Sequence, residues 1–298
     1  PVQEDTAFAK KPYDPEFELD YIGSTGVGVD SSQFGTYASG GVTALFSDVL
    51  KRHQLITNLQ VQGELQDIGG YASYLNQETR LNWGGALSHI PIRYDFPYLR
   101  RDSIQTDQGT LPVTQFVIER TRIFQDQLAF FSQYPLSKKL RFELGGSITR
   151  YGYSREQITY NYYGNILVQN PQRKDLDAPD PFYVGQVNGA YVGDNSNFGI
   201  TGPLDGYRYR FQVQRMFADY NLYTTLVDYR KYFYTKPVSF GIRALHYARY
   251  GPDSDALYPL YVGDNYYVRG YAYNSYDNTG NQYNPDYLNL NSLAGSKM

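Results

Sequence analysis

The chain has 298 residues, of which 41% are hydrophobic and 19% charged, so it is apolar enough to fold and unlike a disordered segment. The net charge of −3 comes with no basic stripe, and we therefore expect no nucleic-acid partner. The absence of cysteine excludes disulfides, thiolate chemistry and cysteine-ligated metals.

Tyrosine is unusually frequent, with 33 residues in a chain that is 17% aromatic. Tyrosine favours strands and the boundary between membrane and water, where its ring is buried and its hydroxyl stays hydrated. No run of about 18 apolar residues could form a membrane-spanning helix. The mean hydropathy of −0.54 nevertheless fits a transmembrane β-barrel, because half of each strand then faces a wet lumen.

Alternation of apolar and polar side chains with a period of two residues predicts about ten strands. These are residues 17–22, 41–49, 55–66, 81–90, 116–130, 140–149, 184–192, 207–214, 220–233 and 238–250. Several have the 9–11 residues or so that a tilted strand needs to cross a bilayer. A soluble β-sandwich with a polar outer face is the alternative fold.

The connections between these strands are of two kinds. Residues 52–53 and 235–237 predict tight turns, whereas residues 96–114 and 155–181 are polar and predict long loops. Such an asymmetry is typical of outer-membrane barrels. The glycine-rich residues 23–28 have no helix after them that could bind phosphate, and they predict a strand. No linker separates two folding units, so residues 1–298 predict one domain.

The sequence contains no arrangement that predicts catalysis. His53, His89 and His246 are scattered and match no metal-ligand spacing. No serine lies in a G-x-S-x-G turn, and no histidine has the context of a catalytic triad. We therefore expect no enzyme, no metal and no cofactor.

One motif near the end resembles a known family. Val268, Arg269, Gly270 and Tyr271 resemble the loop-six signature of the BamA/TamA family of outer-membrane assembly and translocation barrels. Residues 223–232 resemble the family strand that precedes this loop by two crossings. Residues 40–48 resemble the early strands of a Bacteroidetes-type subgroup, in which a TolB-like propeller often precedes the barrel.

The resemblance implies an all-β, transmembrane antiparallel β-barrel of a 16-stranded family, with this chain covering roughly the first 11–12 strands. It implies a place in the bacterial outer membrane and a function in inserting or translocating polypeptides. Its expected partners are the lipid bilayer, client polypeptides, and a periplasmic domain or lipoproteins. Only 28 residues follow Gly270, so we expect the last strands to be missing or to come from another chain.

The resemblance also implies roles for particular residues. Arg269 would enter the lumen and pair with a carboxylate on strands after the loop, since an unpaired buried charge is costly. A weak lateral seam would run along the first strand, where the glycines make weaker pairing plausible. The seam residues are Phe17, Leu19, Tyr21, Gly26 and Gly28.

Two other functions stay open. In a passive pore or small-molecule transporter, Arg208, Arg210 and Arg243 would line the lumen and favour anions. In a structural or adhesion barrel, the long loops would carry the function.

Overall fold

The computed structural model of this chain describes residues 13–32, 35–107, 109–200, 202–257, 260–261 and 294–297. Strands make up 78% of these residues, and the fold class is therefore all-β, as predicted. The one helical element among them is a single 3-10 turn, Leu65–Asp67. No helix in this described part of the chain has the length and apolarity to cross a membrane.

The strands follow the chain closely, with short connections between most of them. Their bounds are β1 Glu18–Ser32, β2 Gly35–Ser47, β3 His53–Gly63, β4 Ile68–Asn76, β5 Asn82–Thr106, β6 Gly109–Pro135, β7 Leu140–Tyr163, β8 Ile166–Leu167, β9 Gln172–Leu176, β10 Phe182–Asp194, β11 Asn197–Phe198, β12 Pro203–Ala218, β13 Leu222–Thr235, β14 Val238–Tyr250, β15 Leu260–Tyr261 and β16 Ala294–Gly295.

One antiparallel sheet contains almost all of these strands. Its path is β1-β2-β3-β4-β5-β6-β7-β10-β12-β13-β14, with β8 and β9 pairing the outer part of β7 and β11 pairing β12. Each strand on the path pairs with the next one in the chain, apart from the short excursions through β8, β9 and β11. Within the described residues the sheet is open, because β1 and β14 stand at its two ends and do not pair with each other.

The two ends of the strands differ. At the short-turn end, residues 48–52, 77–81, 136–139 and 236–237 connect neighbouring strands. At the opposite end, which we call the extended end, β5, β6 and β7 continue far beyond β3 and β4. The last residue of β5 that pairs with β4 is His89, whereas its pairing with β6 continues to Thr106.

The extended end corrects the two long loops predicted from the sequence. Residues 96–106 and 109–114 form the outer parts of β5 and β6, and residues 155–163 belong to β7, with β9 also lying in the predicted loop. The polar composition suggested a loop. Polar side chains are compatible with a strand here because neighbouring strands satisfy the backbone and opposite charges meet across the sheet, as at Glu156 and Arg173.

Other local predictions are confirmed. The glycine-rich residues 23–28 lie within β1, and β13 ends at Thr235 immediately before the turn that leads into β14. The regular register from β5 through β7 also aligns residues on the same face of the sheet in rows across the strands. One such row is Leu87, Leu128 and Ile148. The sheet therefore has two chemically different faces.

Candidate functional site: two faces, a free edge and an ionic cluster

The first candidate site is an exposed apolar surface on one side of the sheet. We call it the apolar face, and its strand centres carry large exposed hydrophobic side chains. Leu59, Leu87 and Leu144 are 62%, 59% and 61% exposed. Other exposed members are Val42, Leu128, Phe130, Phe142, Ile148, Val187, Phe211, Val213, Val227, Phe240 and Ile242. Exposed apolar surfaces of this extent are unusual on soluble monomers and are typical of surfaces that contact lipid or another protein.

Aromatic side chains border the apolar face at the short-turn end. Phe142 and Tyr191 have ring centroids 4.9 Å apart, Tyr191 lies 5.5 Å from Tyr209, and Tyr207 stacks on Tyr209 at 5.9 Å. On the first strands, Phe17, His53, Tyr74 and Trp83 form a similar group. Rings concentrated at strand ends are what a membrane interface favours.

A second aromatic border lies toward the extended end. Tyr183, Phe217, Tyr223 and Tyr250 are all exposed there, and the Arg215 guanidinium lies 4.5 Å from the Tyr223 ring centroid. From Tyr207 to Phe217 on β12, a strand rises about 33 Å. At a tilt of about 40° this spans about 25 Å, the height of the apolar band in outer-membrane barrels.

The other side of the sheet, the polar face, carries mainly amide and hydroxyl groups. Asn58 Nδ2 donates to Thr43 Oγ1 at 2.9 Å, Gln127 Nε2 donates to Thr149 Oγ1 at 3.0 Å, and Gln214 Nε2 donates to Gln186 Oε1 at 3.2 Å. These side chains bond across neighbouring strands. They present donors and acceptors together, which suits polar solutes and polypeptide backbone.

A group of paired charges on the polar face lies on the strands from β7 to β14. Asp228 accepts from Arg243 Nη2 at 2.9 Å and from Arg230 Nη2 at 2.7 Å. Arg210 Nη1 lies 2.8 Å from Glu143 Oε2. Arg208 Nε lies 3.5 Å from Asp194 Oδ2. The three arginines named as lumen-facing, Arg208, Arg210 and Arg243, therefore share the polar face and each has a carboxylate partner.

β1 is one of the two end strands of the sheet and pairs only with β2 among the described residues; we call its outer side the free edge. The register shifts between Leu19 and Tyr21 and again between Ser24 and Val27. Gly26, inside the second shift, has φ of +84°, a backbone conformation that glycine adopts without strain. Gly28 then pairs in register with Ser39. An extra residue at each shift interrupts the ladder of hydrogen bonds.

The predicted seam residues are divided along this strand. Leu19 and Tyr21 flank the first register shift, and both are more than half exposed. Phe17 precedes β1, and its ring packs edge-on against His53 and Tyr74 at 6.5 Å. Phe17 therefore belongs to the aromatic border at the short-turn end. Gly26 marks the second shift.

An ionic cluster, which the sequence did not reveal, lies at the base of the extended end. Its centre is Arg120 and Arg122 on β6, each only 1% exposed. Arg120 Nε donates to Asp95 Oδ1 at 2.8 Å, and Arg122 Nε donates to Asp67 Oδ1 at 2.8 Å. The whole cluster consists of four arginines and four carboxylates: Arg93, Arg120, Arg122, Arg173, Glu64, Asp67, Asp95 and Glu156.

Glu64 and Asp67 come from the turn between β3 and β4, beyond the apolar face. Hydrogen bonds from Arg173, at 2.6 and 3.0 Å, lower the pKa of Glu64 to about 2, against the opposing effect of its burial. Burial alone would raise the pKa of Asp67, but hydrogen bonds from Arg122 and from the Glu64 backbone N–H hold it below its usual range. The two carboxylates therefore stay ionised, and their hydrogen bonds attach the turn to Arg122 on β6 and Arg173 on β9.

The only sequence signal for this cluster was the pair of arginines two residues apart within a strand, which puts both on one face. Their carboxylate partners lie 25 to 58 residues away in the chain. No local pattern connects residues so far apart, and sequence reasoning therefore missed the cluster.

The chain beyond β14 turns toward the polar face. Leu257 packs against the buried cluster of Val184, Met216 and Leu222. The Asn221 backbone N–H donates to Asp253 Oδ2 at 2.7 Å, which anchors the same segment to the turn between β12 and β13. The motif Val268, Arg269, Gly270 and Tyr271 follows this segment but lies outside the described residues.

Comparisons with known proteins add no identification. No protein-family model matches the chain, and no curated protein and no solved structure is significantly similar to it. In the described ranges, no group of three or more His, Asp or Glu side chains is arranged to hold a metal ion.

Proposed function

We infer that this chain forms the wall of a bacterial outer-membrane β-barrel that assists the insertion or passage of polypeptides. The observation that carries this proposal is the interrupted free edge of β1 on a sheet with an extensive exposed apolar face. The apolar face supports a bilayer as the surroundings, and the edge supports a polypeptide as the client.

The membrane part of the proposal rests on the order of side chains from one end of the apolar face to the other. Aromatic borders flank Val213 and Val227 on both sides, as the headgroup regions of a bilayer would require. Polar side chains occupy the opposite face, which in a closed barrel would be the lumen. In this arrangement the extended end points outward from the cell, because outer-membrane barrels have short turns on the periplasmic side.

The client part of the proposal rests on β1. Unpaired N–H and C=O groups in lipid each cost several kcal/mol, so an edge strand in a bilayer must pair with something. The two register shifts weaken the hold of β1 on β2 and make it the easiest strand to separate or re-pair. An incoming strand could add there by β-augmentation, which uses only backbone hydrogen bonds and accepts many sequences.

The resemblance of Val268, Arg269, Gly270 and Tyr271 to the BamA/TamA loop-six signature supports the same function. The packing of Leu257 on the polar face brings the chain before this motif to the side where a lumen loop would fold. The proposed partners are the bilayer, client polypeptides, and a periplasmic domain or lipoproteins. Closure of the barrel requires pairing partners for the edges of β1 and β14.

A passive pore is the second candidate, and the charges of the polar face favour it. Arg208, Arg210 and Arg243 lie on one face with Arg141 and Arg230, against Glu143, Asp194 and Asp228. The excess of positive charge on this part of the wall would favour anions. A steady open conductance would support the pore, whereas small or flickering conductance would support a lumen occupied by a loop.

Reconstitution of the full chain into lipid vesicles tests the proposed function directly. An unfolded client barrel is added, and its folding is followed by resistance to protease. We expect the client to fold faster than with vesicles that hold an unrelated barrel of similar size. Equal rates would overturn the insertion proposal and leave the pore, which ion flux from the same vesicles would reveal. Depletion in the host, with proteomics of the outer membrane, would then separate a general insertase from a dedicated translocase.

A further inference from the structure

A groove of about 690 Å³ interrupts the apolar face between β3 and β7. Leu59 stands on one side of it, and Leu87 and Leu128 stand on the other. Gly70 on β4 lies in a row with Leu59 and His89. Because glycine has no side chain, the floor of the groove at this position is backbone only. Ala72, one row closer to the short-turn end, contributes a single methyl. A chain of methylene groups would fit along this open, largely apolar groove.

Polar groups stand at the end of the groove that points to the extended end. His89, Asp126 and Arg150 form one row across β5, β6 and β7, and all three line the groove. His89 Nδ1 lies 2.5 Å from Asp126 Oδ1, and Arg150 Nη1 donates to Asp126 Oδ2 at 3.1 Å. The His89 ring also stacks on Phe124 at 5.8 Å. The contacts with Asp126 and Phe124 therefore fix the His89 ring, and the hydrogen bond to Asp126 orients the Arg150 side chain.

This row is polar and charged, although it lies on the apolar face. Its neighbours toward the short-turn end are Leu87, Leu128 and Ile148, whereas the Arg150 side chain is 44% exposed. A charged group is tolerated at the lipid surface only near the headgroups. Asp126 engages one nitrogen of the guanidinium, so the remaining N–H groups of Arg150 are available to an anion.

We propose that this groove binds one phosphate-bearing acyl lipid of the surrounding membrane. Its phosphate contacts Arg150 and His89, and one acyl chain lies over Gly70 and Ala72 between Leu59 and Leu87. Arginine suits this contact because its planar guanidinium offers paired donors to phosphate oxygens. Asp126 lies between the two basic side chains in the row and orients both of them. The inference rests on the membrane placement in the proposed function and adds a specific lipid site to it.

The test is native mass spectrometry of the full chain in detergent, with phosphatidic acid and diacylglycerol of identical acyl chains as probes. We expect the wild type to retain phosphatidic acid in preference to diacylglycerol. Arg150→Gln should weaken the binding of phosphatidic acid about tenfold, the size expected for one charged hydrogen bond, and leave diacylglycerol unchanged. Arg150→Lys should keep part of the preference. Ala72→Phe, which places a ring in the groove, should weaken the binding of both lipids.

Arg215→Gln is the matched control, because Arg215 lies on the same face but outside the groove, over the Tyr223 ring. A loss in Arg215→Gln equal to that in Arg150→Gln would show diffuse charge attraction and overturn the site. Displacement of the lipid by inorganic phosphate, with no effect of Ala72→Phe, would show a plain anion site and also overturn it.

Flotation of the same protein with lipid vesicles separates this proposal from the proposed function. If the protein floats but binds phosphatidic acid and diacylglycerol equally, only the lipid-site proposal is overturned. A protein that does not float would lose the membrane placement and the lipid site together.

Discussion

Arg122 Nη2 donates to Glu64 Oε2 at 3.0 Å and so joins β6 to the turn between β3 and β4, 58 residues earlier in the chain. The same guanidinium donates to Asp67 Oδ1, so one side chain holds both carboxylates of the turn. Because Arg122 is almost fully buried, these contacts are shielded from solvent and from salt. The cluster thereby fixes the base of the long β5–β7 extension to its neighbours.

Removing Arg122 should take one cationic partner away from each of Glu64, Asp67 and Glu156. We expect Arg122→Met to lower the free energy of unfolding by about 3–5 kcal/mol, the usual result of breaking a buried ion pair. Urea unfolding of the protein in vesicles measures the change. Arg155→Met is the control, because Arg155 is well exposed and lies 3.8 Å from Glu119, and it should cost about 1 kcal/mol or less. Equal losses would contradict a special role for the cluster.

Acid should release the same turn. The pKa of Glu64 falls from 4.5 to about 2 in the folded chain, so its ionised form stabilises the fold fully above about pH 4.5. This contribution is lost as the pH falls toward about 2. Glu64→Gln lacks this contribution of the ionised carboxylate. The difference in the free energy of unfolding between wild type and Glu64→Gln should therefore be largest near neutral pH. A gap that stayed constant down to about pH 2 would contradict the assigned pKa.

A charge placed at the centre of the apolar face should distinguish lipid from water. Val213 is 55% exposed, midway between the aromatic borders of β12. In a bilayer, Val213→Arg should cost about 2–4 kcal/mol, whereas an exposed position in water would change by about 0.5 kcal/mol or less. Gln214→Arg, one residue further on the polar face, is the matched control and should be tolerated. Folding into vesicles measures both, and similar costs would argue against lipid contact.

The carboxylate of Asp228 should offset part of the positive charge that the arginines give to the polar face. Asp228→Asn leaves Arg230 and Arg243 without their shared partner, so a lumen lined by this face should shift toward anions. We expect the anion-to-cation permeability ratio in planar bilayers to rise by about a factor of two. Asp175→Asn on β9 is the control and should leave the ratio unchanged. An identical ratio in wild type and Asp228→Asn would place Asp228 away from the ion path.

Period-two alternation alone determined the fold class and the division of residues between two faces. Alternation over residues 207–214 predicts Arg208 and Arg210 on one face, and in the structure both lie opposite the exposed Phe211 and Val213. This succeeds because successive side chains of a strand point to opposite sides, whatever the strand pairs with. The short connection at residues 235–237 likewise predicted the tight turn between β13 and β14.

Tertiary structure alone decided how far β5, β6 and β7 extend, where the ionic cluster forms and where the groove opens. Polar residues beyond position 96 resemble a loop in the sequence and become strands because neighbouring strands satisfy their backbone. Arg173 meets Glu64 across 109 residues of chain. Such a contact depends on the register of every strand between the two residues, and no periodicity within one segment contains that information.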